Sequence, residues 1–505
     1  MPEKTLKKIN SYILPQWKVC FLAAVLIGML AHLYKITNWL PNWDSLVFRY
    51  HSQNMIALGR WFLPVVCSFS SFYDLPFLNG ITAIIFHALG AVCILRIFNI
   101  KKKITAGLIG GIVVSVPTVT SVMMYNYVAD GYSIAFFISV LAAYYMTKEK
   151  PAYLLSAVFV ALSAGIYQAY ITVTITLVLL KLIDETVYKN TASGVILKKT
   201  LHILLWGIIG GVLYILILKG VQSIFSIELM EYQGVSSAMS LSDIDLLSSL
   251  YVIKETFVKC FFDLSNGVNV YVALNVIVFA FSLIYYIKSV EKKKLAMLIL
   301  LYALLVFGAG ALAFINPEVD YHNLMRMGYM AFYLLFVIIY ERGPENAKKC
   351  WAVLFITIVI IANQIAISNV SYHKAQLAYE KSYGALIRIA DRIEQTEGTE
   401  NCDKILVLGA LENSEEYSVN LTPDITGTTD GFIIRADDET VKQSVLTASL
   451  NDYCDKSYKF LSGEEKKALA QREEVKAMEK WPQKGCVLVI DNVIIIKLGE
   501  TEGEN

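Results

Sequence analysis

Three charged residues close together are the part of this chain best suited to chemistry. Asp44, Arg49 and Arg60 lie in Pro41-Asn42-Trp43-Asp44-Ser45-Leu46-Val47-Phe48-Arg49-Tyr50, which runs on to Leu58-Gly59-Arg60-Trp61. The stretch directly follows the first strongly apolar segment. Charges are costly to hold beside hydrocarbon, so their presence there points to an ion, a phosphate or a reacting hydroxyl. A carboxylate at that boundary can take a proton from a hydroxyl if partial burial lifts its pKa toward neutrality. Guanidiniums hold phosphate oxygens through paired hydrogen bonds, which ammoniums cannot do. Plainer readings also fit. Asp44 could cap a helix beginning at Ser45, and Arg60 with Trp61 could anchor the chain at headgroup depth.

Composition sets the surroundings of these residues. The 505 residues are 56% hydrophobic and 17% charged, with mean hydropathy +0.53. That is more apolar surface than a soluble domain can hide, and it predicts an integral membrane protein. The net charge of +1 divides unevenly: residues 1–370 hold 28 Lys and Arg against 18 Asp and Glu, and residues 371–505 hold 16 against 25. A basic membrane domain over 1–370 and an acidic soluble domain over 371–505 are expected.

The first apolar run, 19–36, follows Lys4, Lys7 and Lys8 and has no small-residue cleavage site, so it is expected to stay as an anchor. Later runs fall at 78–97, 104–124, 132–146, 201–218, 270–287, 295–315, 328–340 and 351–367. Most are near the ~20 residues that a bilayer core requires. Tyr153 to Ile183 is too short for two full spans, and as one helix it would be about 46 Å long. Lys148 and Lys150 precede it, and Lys181, Lys189, Lys198 and Lys199 stand at or after its end. The positive-inside rule places both groups in the cytoplasm, which predicts a hairpin of two short helices breaking near Gly165-Ile166-Tyr167-Gln168. The result is about 11 transmembrane helices, with the N-terminus cytoplasmic and the C-terminal domain extracytoplasmic. Loops 37–77, 125–131, 219–269 and 316–327 then face outward.

The tail opens with an amphipathic stripe of Tyr379, Tyr383, Leu386, Ala390 and Ile393. It continues as a small α/β domain, with strands at 404–408, 487–490 and 493–496 and a solvated helix over 463–480. Cys402, Cys454 and Cys486 would lie outside, where a disulfide is allowed. No C-x-x-C or His-rich spacing suggests structural zinc, and no Walker loop suggests a nucleotide-driven pump. Nothing points to nucleic acid.

Three further motifs join the first. Trp43-Asp44 with Ala57-Leu58-Gly59-Arg60-Trp61, Pro117-Thr118-Val119-Thr120-Ser121 with Tyr125 to Asp130, and Ala164-Gly165-Ile166-Tyr167-Gln168-Ala169-Tyr170 follow in that order. With their sidedness, they resemble the bacterial glucosyl transferase II family of the GT-C superfamily over about residues 19–396. The resemblance implies a GT-C-like polytopic α-helical membrane protein in the bacterial cytoplasmic membrane. It would move a hexose, glucose by the family's type example, from a polyprenyl-phosphate carrier to a cell-surface glycan on the outer side, as in O-antigen modification.

The resemblance also implies that an aspartate of the first outer loop acts in catalysis, which here is Asp44. Arg49, Arg60 and Arg326 are the candidates to hold the donor phosphate. Trp43, Trp61, Asp130, Tyr167, Gln168 and His322 are the candidates to line the substrate pocket. Many GT-C enzymes carry a second acid beside the first, where this chain has Trp43 and Ser45. No metal ligand set is assigned, and a divalent metal stays an open option.

Asp130, Tyr167 and Gln168 could instead only satisfy buried polar groups, and His322 could sit in a solvated loop. A glycan polymerase or ligase would share this outward chemistry. A lipid-linked-sugar flippase or transporter should show repeated halves and mid-span charges, whereas these acids cluster at outer boundaries.

Overall fold

The long apolar runs form helices, because a backbone in hydrocarbon must satisfy its own peptide groups. The computed structural model describes residues 3, 11–41, 43–47, 55–189, 191–230, 245–264, 269–344, 347–409, 411, 425, 439–461 and 463–499. Two compact units hold them: Met1–Asn38, Ser52–Val370 and Asn420–Thr426 in one, Trp39–His51, Ser371–Val419 and Gly427–Asn505 in the other. The segment around Asp44 thus packs with the tail's unit.

In the first unit the chain forms α1 (Pro15–Thr37), then α3 (Leu63–Cys67), α4 (Pro76–Phe98), α5 (Lys103–Ser115), α6 (Pro117–Met124), α7 (Ala129–Thr147) and α8 (Tyr153–Ile166). There follow α9 (Ile171–Tyr188), α10 (Ser193–Phe225), α11 (Leu246–Phe261), α12 (Val270–Ser289), α13 (Leu295–Ala309), α14 (Ala331–Arg342) and the first part of α15 (Lys348–Glu394). By length and composition six helices among the described residues can cross a membrane: α1, α4, the Asn126–Thr147 stretch containing α7, α10, α12 and α15. The count is seven if α5 and α6 form one bent span. The chain is a polytopic membrane protein. The other expected spans fall on α8, α9, α13 and α14, which are shorter or carry charge.

Local chemistry accounts for the breaks. Pro117 has no N–H to continue α5, and the axis turns by 43° there. Ser115 Oγ donates to Gln364 Oε1 at 2.7 Å, and the Thr120 and Ser368 hydroxyls lie 2.7 Å apart, pinning both halves to α15. The 153–183 stretch does divide, with α8 ending at Ile166, a tight turn at Gln168–Tyr170, and α9 starting at Ile171. Tyr153 and Lys181 line one cavity with the ends of α4 and α7, so the chain reverses between them. The stretch expected as a long loop over 219–269 holds more helix than its sequence suggested. There α10 runs on to Phe225, and Asp245 caps α11 by accepting from the N–H groups of Leu247 and Ser248 at 3.0 and 3.1 Å.

In the second unit, α2 (Trp43–Val47) and the end of α15 join β1 (Lys404–Leu408), α16 (Glu439–Cys454), β2 (Lys459–Phe460), α17 (Gly463–Ala470), α18 (Glu473–Lys476), β3 (Val487–Ile490) and β4 (Val493–Lys497). The sheet order is β2-β1-β4-β3, with β1 parallel to both neighbours and β3 antiparallel to β4. Asp491 and Asn492, both at positive φ, make the two-residue turn of that hairpin. Leu386, Ile389 and Ile393 of α15 share a core with Leu46, Ile405 and Ile494. The stretch 463–480 is two short helices, not one solvated helix, because Leu469, Val475 and Met478 are drawn under the other face of the sheet. The thiols of Cys402, Cys454 and Cys486 are free.

Close helix packing in the first unit depends on missing side chains. A Cβ at Gly110 would lie 2.5 Å from the Cys20 carbonyl oxygen, whereas at Gly211 it would meet nothing within 4 Å. Gly110→Ala must push α5 from α1 and should cost about 1–3 kcal/mol. Gly211→Ala should be neutral or stabilise by up to about 1 kcal/mol, since alanine restricts the unfolded chain. Thermal unfolding of both variants in detergent checks this; equal unfolding temperatures would contradict the α1–α5 contact.

Candidate active site

The segment 55–62 is a tight turn docked into the α8–α9 break. Gly59 takes φ 75°, a left-handed conformation that glycine adopts without cost, and Arg60 N–H closes the turn on Met55 O at 2.8 Å. Phe62 N–H donates to Gly165 O at 2.7 Å, and Gln168 Nε2 donates to Leu58 O at 2.9 Å. Tyr214 of α10 donates its hydroxyl to Gly59 O at 3.0 Å and also lies 3.2 Å from Gln168 Nε2. The Trp61 indole lies against Gly165, where a Cβ would be 2.5 Å from Cε2.

Arg60 is fixed by this docking. Its Nη1 donates to the Tyr132 hydroxyl at 3.0 Å, and its Cζ lies 5.1 Å from the Tyr167 ring centroid. The Tyr132 and Tyr167 rings stack at 4.2 Å, so the guanidinium meets a two-ring aromatic surface. Trp61 Nε1 is buried and has no hydrogen-bond partner among the described residues. A cation, an indole donor and aromatic faces suit a ligand carrying both a phosphate and a sugar ring. Arg60, Trp61, Tyr167 and Gln168 are therefore brought together.

Asp130 is near in sequence but not in this cluster. It is buried in the first turn of α7, where its carboxylate accepts from Gly131 N–H at 2.9 Å and lies 3.7 Å from Cys67 Sγ. Tyr132 follows two positions later, and such pairs do not share a helix face.

Arg326 forms its own site. It is buried, with Nε donating to Tyr321 O at 2.6 Å and Nη1 to Asn323 Oδ1 at 3.3 Å. No carboxylate pairs with it among the described residues. Together with Pro117 and Thr118 at the start of α6 it lines a cavity of about 20 Å³. A guanidinium and a helix N-terminus both favour an anion. The Met327–Met330 turn that follows packs on the Gln168–Tyr170 turn, which links this site to the Arg60 cluster.

His322 is half-buried, in contrast to the solvated loop considered for it. Burial and then the charge of Arg326, against a smaller opposing effect of Asp320, bring its pKa down to about 4. Asp320 pairs with Lys259 of α11 at 3.4 Å.

Asp44 belongs to the second unit, where it is partly buried. The helix starts at Trp43, so Asp44 lies inside the first turn and not at the cap position considered for it; a negative charge there suits the helix dipole. The side chain of Trp43 and the whole of Arg49 lie outside the described residues.

Asp74 was not picked out from the sequence. It accepts from Asn126 Nδ2 at 2.6 Å, and its second carboxylate oxygen is buried with no hydrogen-bond donor among the described residues. Buried Lys35 of α1 supplies the opposing charge, and Asn79 donates to Asn126 O at 2.7 Å. The signal available was an acid two residues before a proline-led helix in the segment that follows the first apolar run. Among the described residues no three His, Cys, Asp or Glu side chains form a metal-binding group.

Apolar helices around a cationic and aromatic interior define the class: a polytopic membrane protein with polar sites inside its bundle. The family model described as Glucosyl transferase GtrII matches residues 33–339, and the chain belongs to that family. It is accordingly a glycosyltransferase. No curated protein and no solved structure matches the chain.

The depressed pKa of His322 has a testable sign. The folded value near 4 lies below the ordinary 6.5, so the unfolded chain binds the extra proton and stability falls as pH drops from about 6.5 to 4. The ring keeps some water contact, so the contribution should be about 1–2 kcal/mol. Unfolding temperatures of wild-type and His322→Gln protein across that window should diverge, with the variant losing less. Parallel curves would contradict the burial of a neutral ring.

Proposed function

We propose that this protein moves a hexose, glucose by its family, from a polyprenyl-phosphate carrier to a cell-surface glycan at the outer face of the bacterial cytoplasmic membrane. The N-terminus is then cytoplasmic and residues 371–505 form an extracytoplasmic domain. The observation that carries the donor class is Arg326, a buried guanidinium facing a helix N-terminus with no carboxylate partner among the described residues. Such a charge is costly unless an anion completes it. Arg60 on its tyrosine pair supports the same reading, because aromatic faces suit sugar C–H surfaces beside the phosphate.

In this reaction an acceptor oxygen forms a bond to the sugar's anomeric carbon as the bond to the phosphate oxygen breaks. The electron pair of that bond leaves with the lipid phosphate, which gains a charge that Arg326 and Arg60 would take up. Asp44 takes the hydroxyl proton in this reading, on its place in the family's motif. Asp74 is the second candidate for that role, favoured by the carboxylate oxygen that receives no donor among the described residues.

Two outcomes test this. Arg326→Lys keeps the charge but loses the planar fork, so KM for a polyprenyl-phosphate hexose should rise about tenfold or more. An unchanged KM would remove Arg326 from donor binding. Asp44→Asn keeps shape and should lower the transfer rate by about 10²–10⁴-fold in purified, folded protein. Near wild-type transfer by Asp44→Asn together with loss in Asp74→Asn would move the base to Asp74.

A further inference from the structure

A second, larger cavity lies at the opposite ends of the same helices. It has a volume of about 1040 Å³ and is bounded by the ends of α4, α7, α9 and α14 and the starts of α1, α8 and α10. Seven Lys and Arg line it against three Asp and Glu. Four of the cations are already engaged. Arg342 holds both oxygens of Asp184 at 2.9 and 3.0 Å, with Lys181 3.6 Å from the same carboxylate. Lys189 and Lys199 share Glu185 at 3.4 and 2.6 Å.

Arg96, Lys148 and Lys150 complete the cationic lining, and none meets a carboxylate within ion-pair distance among the described residues. Arg96 donates to the Tyr144 hydroxyl at 2.7 Å and lies over the Tyr144 and Trp17 rings at 4.5 and 5.4 Å. Lys148 lies 4.7 Å from the Tyr145 ring. Glu149, between the two lysines, also lines the cavity, so this group of four keeps a net charge of +2.

We propose that this cavity binds the headgroup of an anionic phospholipid from the adjoining leaflet, which is the cytoplasmic one if the lysine clusters lie inside. The surroundings select a lipid over a soluble phosphate. Beside the lining residues Lys199 and Ile203, α10 exposes Leu197, Leu201, Leu204 and Leu205, an apolar track for acyl chains. Tyr153 at the rim stacks on Trp206 at 5.9 Å, and Trp17 lies below Arg96, the aromatic pattern of a headgroup boundary. The site is distinct from Arg60 and Arg326 and does not depend on sugar transfer.

The test uses the full chain in mild detergent, with thermal unfolding followed against added lipid. Short-chain phosphatidylglycerol should raise the unfolding temperature, while phosphatidylcholine of the same chain length and inorganic phosphate should not. Removing a cation near such a surface weakens binding about fivefold, so Arg96→Gln, Lys148→Gln and Lys150→Gln together should weaken phosphatidylglycerol binding roughly a hundredfold. If the triple variant fails to fold, exposed Lys150→Gln alone should show the single fivefold loss. Equal shifts with phosphatidylcholine, an equal shift with inorganic phosphate alone, or unchanged affinity in the variants would each overturn the proposal.

Discussion

A helix broken inside an apolar bundle leaves peptide groups that hydrocarbon cannot satisfy, and the first unit is organised around one such break. At Gly165–Tyr170 the freed groups are met by the segment after α1. Gly165 O takes Phe62 N–H, and the Gln168 side chain takes Leu58 O. That repair places Arg60 and Trp61 against Tyr132 and Tyr167. The helix break and the candidate site are thus one structure: the groups that close the break also orient the cation.

The same economy recurs at the other charges. Pro117 bends the α5–α6 pair and leaves a helix N-terminus facing the interior, beside Arg326. Lys35 and Asp74 counter each other at the end of α1 while Asn126 and Asn79 take up neighbouring polar atoms. At the opposite helix ends, carboxylates of α9 hold four of the basic groups, and an excess of cations remains around Arg96. Among the described residues Arg326 and Arg96 meet no carboxylate within ion-pair distance, and a ligand's charge would complete them.

The proposed transfer from a lipid donor needs a cation for the leaving phosphate, a base for the acceptor, and a route from the bilayer. Arg326 and Arg60 of the membrane unit are the candidates proposed for the first. The base has two candidates of different setting: Asp44 on a short helix of the tail's unit, and Asp74 inside the membrane unit. The family match spans both positions, so it does not choose between them.

The sequence by itself determined the membrane class, the family, the strands of the tail other than β2, and the break at Gly165–Gln168. Each is written in composition, in short motifs or in a period of apolar residues, all of which are local. It also named Arg60 and Trp61 through one motif, and Tyr167 and Gln168 through another, as candidates. Only the tertiary structure separated Asp130 from Arg60, packed Leu46 beside Asp44 into the tail's core, and gave Asp74 its partners from α1 and the turn before α7. Those outcomes depend on which helix faces which. The hydrophobic pattern leaves that open, since most faces of a membrane helix are apolar, and close approach is decided by glycines such as Gly110 and by pairs of polar groups far apart in the chain.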